Sequence, residues 1–179
     1  MRQLDQLRRR FSSETGIRSI CSSPLVRARM TAVVVAEATA APTEIVPDLR
    51  EIHCGDVDGE PLVMVKQRHP ELWERNLRQD DDDFRWPQGE SYREFRERCL
   101  RAVTRIARMH AGQRVGVVTH AGAITQVLGA IHGLRPARWE PFRPENTSLT
   151  EIDWLDGAGE LVSFNDHRHL THLVDRDDR

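Results

Sequence analysis

The sequence predicts a three-layer α/β/α domain: a mostly parallel sheet with helices on both faces. Two observations carry that expectation. Short apolar runs of strand length, at Ile17–Cys21, Thr43–Val46 and Arg114–Thr119, alternate with longer segments of helical periodicity. Strands and helices that alternate in this way favour parallel pairing, because each crossover helix carries the chain back to the end of the sheet where the previous strand began. No internal repeat or long linker interrupts the pattern, so residues 1–179 read as one domain.

The elements follow in order. Met1–Phe11 sets Leu4, Leu7 and Phe11 at helical spacing, the tail of an amphipathic helix. After the first apolar run, Ser22 and Ser23 offer capping hydroxyls and Pro24 suits the first turn of a helix running to about Ala38. Leu49–Gly59 is a glycine-containing loop. Glu60–Pro87 reads as short helices and an acidic run, forming a cap over the carboxyl ends of the strands. The run Asp80–Asp83 is expected to be a solvated loop. Ser91–His110 is a long amphipathic helix, with Tyr92, Phe95, Cys99, Ala102, Val103 and Ile106 on its apolar face and Ser91 as its cap. Arg114–Thr119 is a buried strand that runs straight into His120-Ala121-Gly122 and a further helix through about Ile131. Thr147–Trp154 and Glu160–Phe164 are closing strands about the turn Asp156-Gly157.

Bulk properties exclude several functions. The net charge of -2 gives no general attraction to nucleic acid or to an anionic membrane, so an anion site must be built from a few placed cations. The longest uncharged apolar run, Thr31–Ala36, is far too short to span a bilayer, and the charged first residues lack a signal peptide's apolar core. Cys21, Cys54 and Cys99 form no Cys-x-x-Cys pair. Reduced, buried thiols in a cytoplasmic protein are the expectation.

Ligands of open α/β sheets bind outside the carboxyl ends of strands, so the residues after Cys21 and Thr119 are the informative ones. His120 stands at a strand–helix junction, where free N–H groups and the helix dipole suit a phosphate oxygen. Ala121 and Gly122 leave room for close backbone approach. Arg27 lies one turn into the helix after the first strand, and its guanidinium can take phosphate bidentately. Glu51, held near an anion and partly dehydrated, would tend to keep its proton, as a general acid must. Taken singly, each residue also reads as an ordinary core histidine, surface arginine or loop glutamate.

Taken together, the segments resemble the histidine phosphatase (phosphoglycerate mutase-like) superfamily. They are Ser22-Ser23-Pro24-Leu25-x-Arg27-Ala28, Leu49-x-Glu51-x-x-x-Gly55-x-x-x-Gly59 and Trp86-Pro87-x-Gly89-Glu90-Ser91 with Phe95 and Arg98. Val117-Val118-Thr119-His120-Ala121-Gly122, Asn146-x-Ser148 and Phe164-Asn165-Asp166-x-x-x-His169-Leu170 complete the series in order. The resemblance implies phosphomonoester hydrolysis of a small phosphorylated substrate, without metal or other cofactor. In it Arg27 and the start of the helix at Ala121 bind phosphate, Glu51 protonates the leaving oxygen, and His120 is the second, non-nucleophilic histidine. His167, His169 and His172 fall on the closing motif and so are read as metal-free. The cap cations Lys66, Arg68, Arg75 and Arg78 could favour an anionic substrate, though surface solvation accounts for most of them.

The family opens with a strand ending in Arg-His-Gly, whose histidine accepts the phosphoryl group. No such triplet occurs in these 179 residues; Gln67-Arg68-His69-Pro70 is the nearest fragment. The sequence therefore reads as a domain truncated at its N-terminus, with the first, mid-sheet strand missing and no turnover alone. Two alternatives stand beside hydrolysis: a non-catalytic pseudophosphatase that binds a phosphorylated ligand or protein partner, and a phosphoglycerate mutase. A homodimer covering the gap in the sheet is a further expectation.

Overall fold

Side chains alternate across β1 (Ile17–Ser22), and that alternation builds two separate cores in the computed structural model, which describes residues 2–14 and 16–170. Ile20 packs with Leu7 of α1 (Arg2–Ser12) and with Ala32 and Val35 of α2 (Val26–Thr39). The next residue, Cys21, packs with Val46, Leu49 and with Ala102 and Ile106 of α5 (Tyr92–Met109). Helices thus cover both faces, and the chain is the expected layered α/β fold.

β1 is the centre of a three-stranded parallel sheet, flanked by β2 (Thr43–Ile45) and β3 (Arg114–Val118). The closing strands β4 (Leu149–Leu155) and β5 (Ala158–Asp166) form a separate antiparallel hairpin. Its turn holds Asp156 and Gly157 at φ 52° and 84°, the left-handed conformations that a two-residue hairpin requires. Among the described residues β3 pairs with β1 alone and β4 with β5 alone. The expectation of a buried third strand is corrected accordingly: Val117 is 41% exposed, although β3 follows the pattern of a core strand. A side-chain contact, Arg114 to Glu151 at 3.0 Å, links β3 to β4.

Local chemistry sets the helix ends. Ser91 Oγ accepts from Glu94 N and the Glu94 carboxylate accepts from Ser91 N, a reciprocal cap that starts α5 where the sequence placed it. The cap proposed for α2 is absent. Ser22 Oγ donates to the Ser23 carbonyl, and α2 begins after Leu25, which makes no side-chain cap.

Two short helices, α3 (Leu62–Arg68) and α4 (Pro70–Arg78), follow the loop at residues 50–61. They enclose a third cluster of Val57, Val65, Phe84 and Trp86. Arg68, Arg75 and Arg78 pair with Glu60, Asp81 and Asp80, which places these cations in surface ion pairs. The acidic run departs from its expected solvation at Asp82. That carboxylate accepts from Arg135 Nε at 3.1 Å and from Ala137 N at 3.0 Å, tying this region to the segment after α6 (Ala121–Ile131). Those bonds hold its pKa below the ordinary carboxylate value, against the opposing effect of burial. Cys21 and Cys99 are buried as expected, whereas Cys54 is only half-buried. His172 lies outside the described residues.

Candidate active site

β3 ends at Val118, and the chain turns through Thr119 and His120 into α6. Thr119 Oγ1 donates to the Leu49 carbonyl at 2.7 Å, which brings the loop carrying Glu51 beside this junction. His120 is the N-cap residue, in extended conformation and buried. Three of the four predicted site residues meet here through direct or one-residue-removed contacts.

Arg27 Nε donates to His120 Nδ1 at 3.2 Å. Nδ1 must then present its lone pair, so the ring proton resides on Nε2, which donates to Ser23 Oγ at 2.7 Å. Burial lowers the His120 pKa to about 4, and the positive charges of Arg27 and Arg98 act in the same direction. The ring is therefore neutral at physiological pH until an anion offsets those charges. Arg27 itself is exposed, so its guanidinium can meet a ligand from solvent.

The Glu51 carboxylate lies against the first turn of α6. Its Oε2 accepts from Gly122 N at 3.1 Å and its Oε1 from its neighbour Ile52 N at 2.9 Å. Ala121, the fourth predicted residue, is exposed at the first position of the helix. Gly122 has a specific steric reason. A Cβ there would overlap the Glu51 carboxylate, whose carbon would lie at 3.0 Å. That carboxylate is the far end of a flexible side chain and can swing aside, so we expect Gly122→Ala to displace Glu51 from the helix start at little cost in stability, which urea denaturation would measure.

Two residues that the sequence reading did not assign to the site hold it in place. Ser23, fully buried, fixes the His120 ring as described. Arg98, 5% exposed on α5, donates to the carbonyls of Asp48 and Arg50 at 2.8 and 2.9 Å and to that of Glu51 at 3.2 Å. It also forms a two-nitrogen ion pair with Glu90, whose carboxylate accepts from His53 N at 2.8 Å. One guanidinium thus sets the path of the loop that carries Glu51. The sequence held a signal for it: position 98 lies on the same helical face as Phe95, Cys99 and Ala102, an odd place for a cation without buried acceptors.

With this geometry in view, the comparisons are decisive. Residues 1–167 match the sequence profile of the histidine phosphatase superfamily (branch 1). The chain belongs to that superfamily. It is 30% identical over 164 residues to a protein of Escherichia fergusonii named "Probable phosphoglycerate mutase GpmB", covering 89% of this chain and 76% of that one. The protein of the same name from Yersinia enterocolitica is 29% identical over 174 residues, covering 94% and 80%. Among solved structures, Bacillus stearothermophilus YhfR superposes with a TM-score of 0.83 at 25% identity, covering 94% of this chain and 83% of that one. The alpha-ribazole phosphatase from Shigella flexneri shares the fold with a TM-score of 0.77 at 23% identity, covering 92% and 81%. Among the described residues of this superfamily member, no helix is long and apolar enough to cross a membrane.

Proposed function

We propose that the chain binds phosphomonoesters of small metabolites and supplies all but the nucleophile of a phosphomonoester hydrolase. The observation behind this reading is the contact of Arg27 with His120 at the start of α6, with Glu51 seated on the same helix turn. Arg27 takes non-bridging phosphate oxygens as a charge-assisted donor. His120, released from Arg27, turns its ring to the same oxygens and stabilises the charge that builds on them. Glu51 gives a proton to the leaving oxygen. The cap at about residues 60–87 closes over the carboxyl ends of the strands.

The phosphoryl acceptor is the open position. The family resemblance assigns it to an Arg-His-Gly motif, and no such triplet occurs in the 179 residues. Ser23 is not activated in the free protein: while Arg27 holds Nδ1, the His120 nitrogen facing the hydroxyl carries the proton and cannot take another. Covalent transfer through histidine is thus beyond these residues, and we expect negligible turnover of an aryl phosphate.

A second reading is a pseudophosphatase that uses the cationic site for a phosphorylated ligand or protein partner. The relatives named for phosphoglycerate mutase favour a third, phosphoryl exchange between the hydroxyls of a phosphoglycerate. Assays of aryl phosphate hydrolysis and of 3-phosphoglycerate isomerisation, with phosphate binding measured in parallel, separate the three. Binding without turnover is the expected result. Hydrolysis that disappears in His120→Ala would overturn the claim that the nucleophile is lacking.

A further inference from the structure

On the α5 face of the sheet, three side chains from three separate elements turn their donor atoms to one point. Cys21 Sγ of β1, a carboxylate oxygen of Glu44 on β2 and an imidazole nitrogen of His110 lie within 4.8 Å of one another. Cys21 and Glu44 are direct partners in the parallel register, so the strand pairing itself fixes two of the donors. His110 is the C-cap of α5, and its backbone N–H donates to the Ile106 carbonyl at 3.0 Å, which holds the residue that carries the third at the helix end. None of the three belongs to the phosphate site.

The chemistry of the set is specific. Thiolate, imidazole and carboxylate are the donors that zinc takes, and three protein ligands leave a fourth position for water. Zinc bonds of about 2.0–2.3 Å imply donor separations of roughly 3.3–3.8 Å in a tetrahedron. The observed spread needs to contract by only about 1 Å to reach that range, within the reach of side-chain rotation. A second observation points the same way. His110 Nε2 is buried and has no hydrogen-bond partner among the described residues. A buried ring nitrogen left unpartnered costs about 1–3 kcal/mol, a cost that a cation removes where Nε2 is the nitrogen it takes.

We propose that Cys21, Glu44 and His110 form a site for a divalent cation of the zinc class, independent of phosphoryl transfer. Binding replaces the Sγ–H bond with a sulfur–metal bond and releases that proton to solvent. The cation supplies what the thiol now lacks: burial and the neighbouring Glu44 charge hold the Cys21 pKa above its usual value, with Arg105 opposing them. Arg105 is the competing cation. It lies 3.6 Å from Glu44, but its side chain is 63% exposed, and such an exposed pair contributes little and is readily exchanged. Bridging β1, β2 and the end of α5 would fasten the sheet to its covering helix.

Cobalt(II) tests this, because a cobalt–thiolate bond has a near-ultraviolet charge-transfer band that oxygen and nitrogen ligands do not give. The protein, reduced and freed of metal, should take up one equivalent of cobalt with this band, and zinc should displace it. Cys21→Ser should lose the band, and His110→Ala and Glu44→Gln should weaken cobalt binding at least tenfold. Cys54→Ser should leave it intact, since that thiol lies in the loop near His53 and Asp58 instead. Circular dichroism of each variant separates loss of binding from loss of fold. Should Cys21→Ser unfold, His110→Ala, at a helix end, decides. No band in the wild type, a band kept by Cys21→Ser, an unchanged cobalt affinity in His110→Ala, or a band lost in Cys54→Ser alone would each overturn the site.

Discussion

Arg98→Met should destabilise the protein by about 3–5 kcal/mol, the range expected when one partner of a buried ion pair is removed. Its side chain is 6% exposed and that of its partner Glu90 16%, so the pair is well removed from water. The substitution would leave the partly buried Glu90 carboxylate without its guanidinium partner and strip three backbone carbonyls of their donor. Against a typical net stability of about 5–15 kcal/mol, that loss is large enough to lower the folded fraction at room temperature. Arg98→Lys should rescue little, because an ammonium cannot reproduce the fork that spans Glu90 and the loop. Urea denaturation of the wild type and both variants would read the difference; a loss under 1 kcal/mol for Arg98→Met would show that the loop does not depend on this residue.

Removing Arg27 should have the second large effect, on ligand affinity rather than stability. Arg27 is exposed and its recorded side-chain bond is to His120, so Arg27→Ala leaves the fold intact. A charge-assisted hydrogen bond contributes about 1.5–3 kcal/mol, so sulfate should bind roughly 10–150-fold more weakly. The pH dependence follows from the depressed His120 pKa of about 4. In the free protein the unfolded chain takes up this proton near pH 6.5 and the folded chain does not. Stability from His120 is therefore full above pH 6.5 and is lost as pH falls towards 4. A bound dianion counters Arg27 and Arg98 and raises that pKa, so sulfate affinity should rise as pH falls from 7 towards 5. His120→Gln should flatten the rise. Calorimetric titrations at several pH values check both statements.

Much of this arrangement was legible in the sequence, and what was not has physical reasons. Period and caps located the helices: Ser91 with Glu94 fixed the start of α5, and the valines before His120 fixed the strand–helix junction. The small residues after His120 announced a close approach, which proved to be the Glu51 carboxylate. Long-range side-chain pairing leaves no local pattern, and there the reading fell short. Ser23 looked like a helix cap because capping is a local property, whereas its partner is the N-cap residue of a helix 97 residues further along the chain. Asp82 looked solvated because three neighbours share its charge, while Arg135 reaches it from the segment after α6. The division of the sheet into a parallel trio and a separate hairpin likewise depends on which edges meet, and hydrophobic period cannot specify that.

The most direct measurement is a crystal structure of the protein with phosphate or orthovanadate bound. Our account predicts one tetrahedral or trigonal oxyanion at the start of α6, within hydrogen-bond distance of Arg27 and His120, and with Glu51 on its open side. An oxyanion bound away from these side chains, or reached by just one of them, would contradict it.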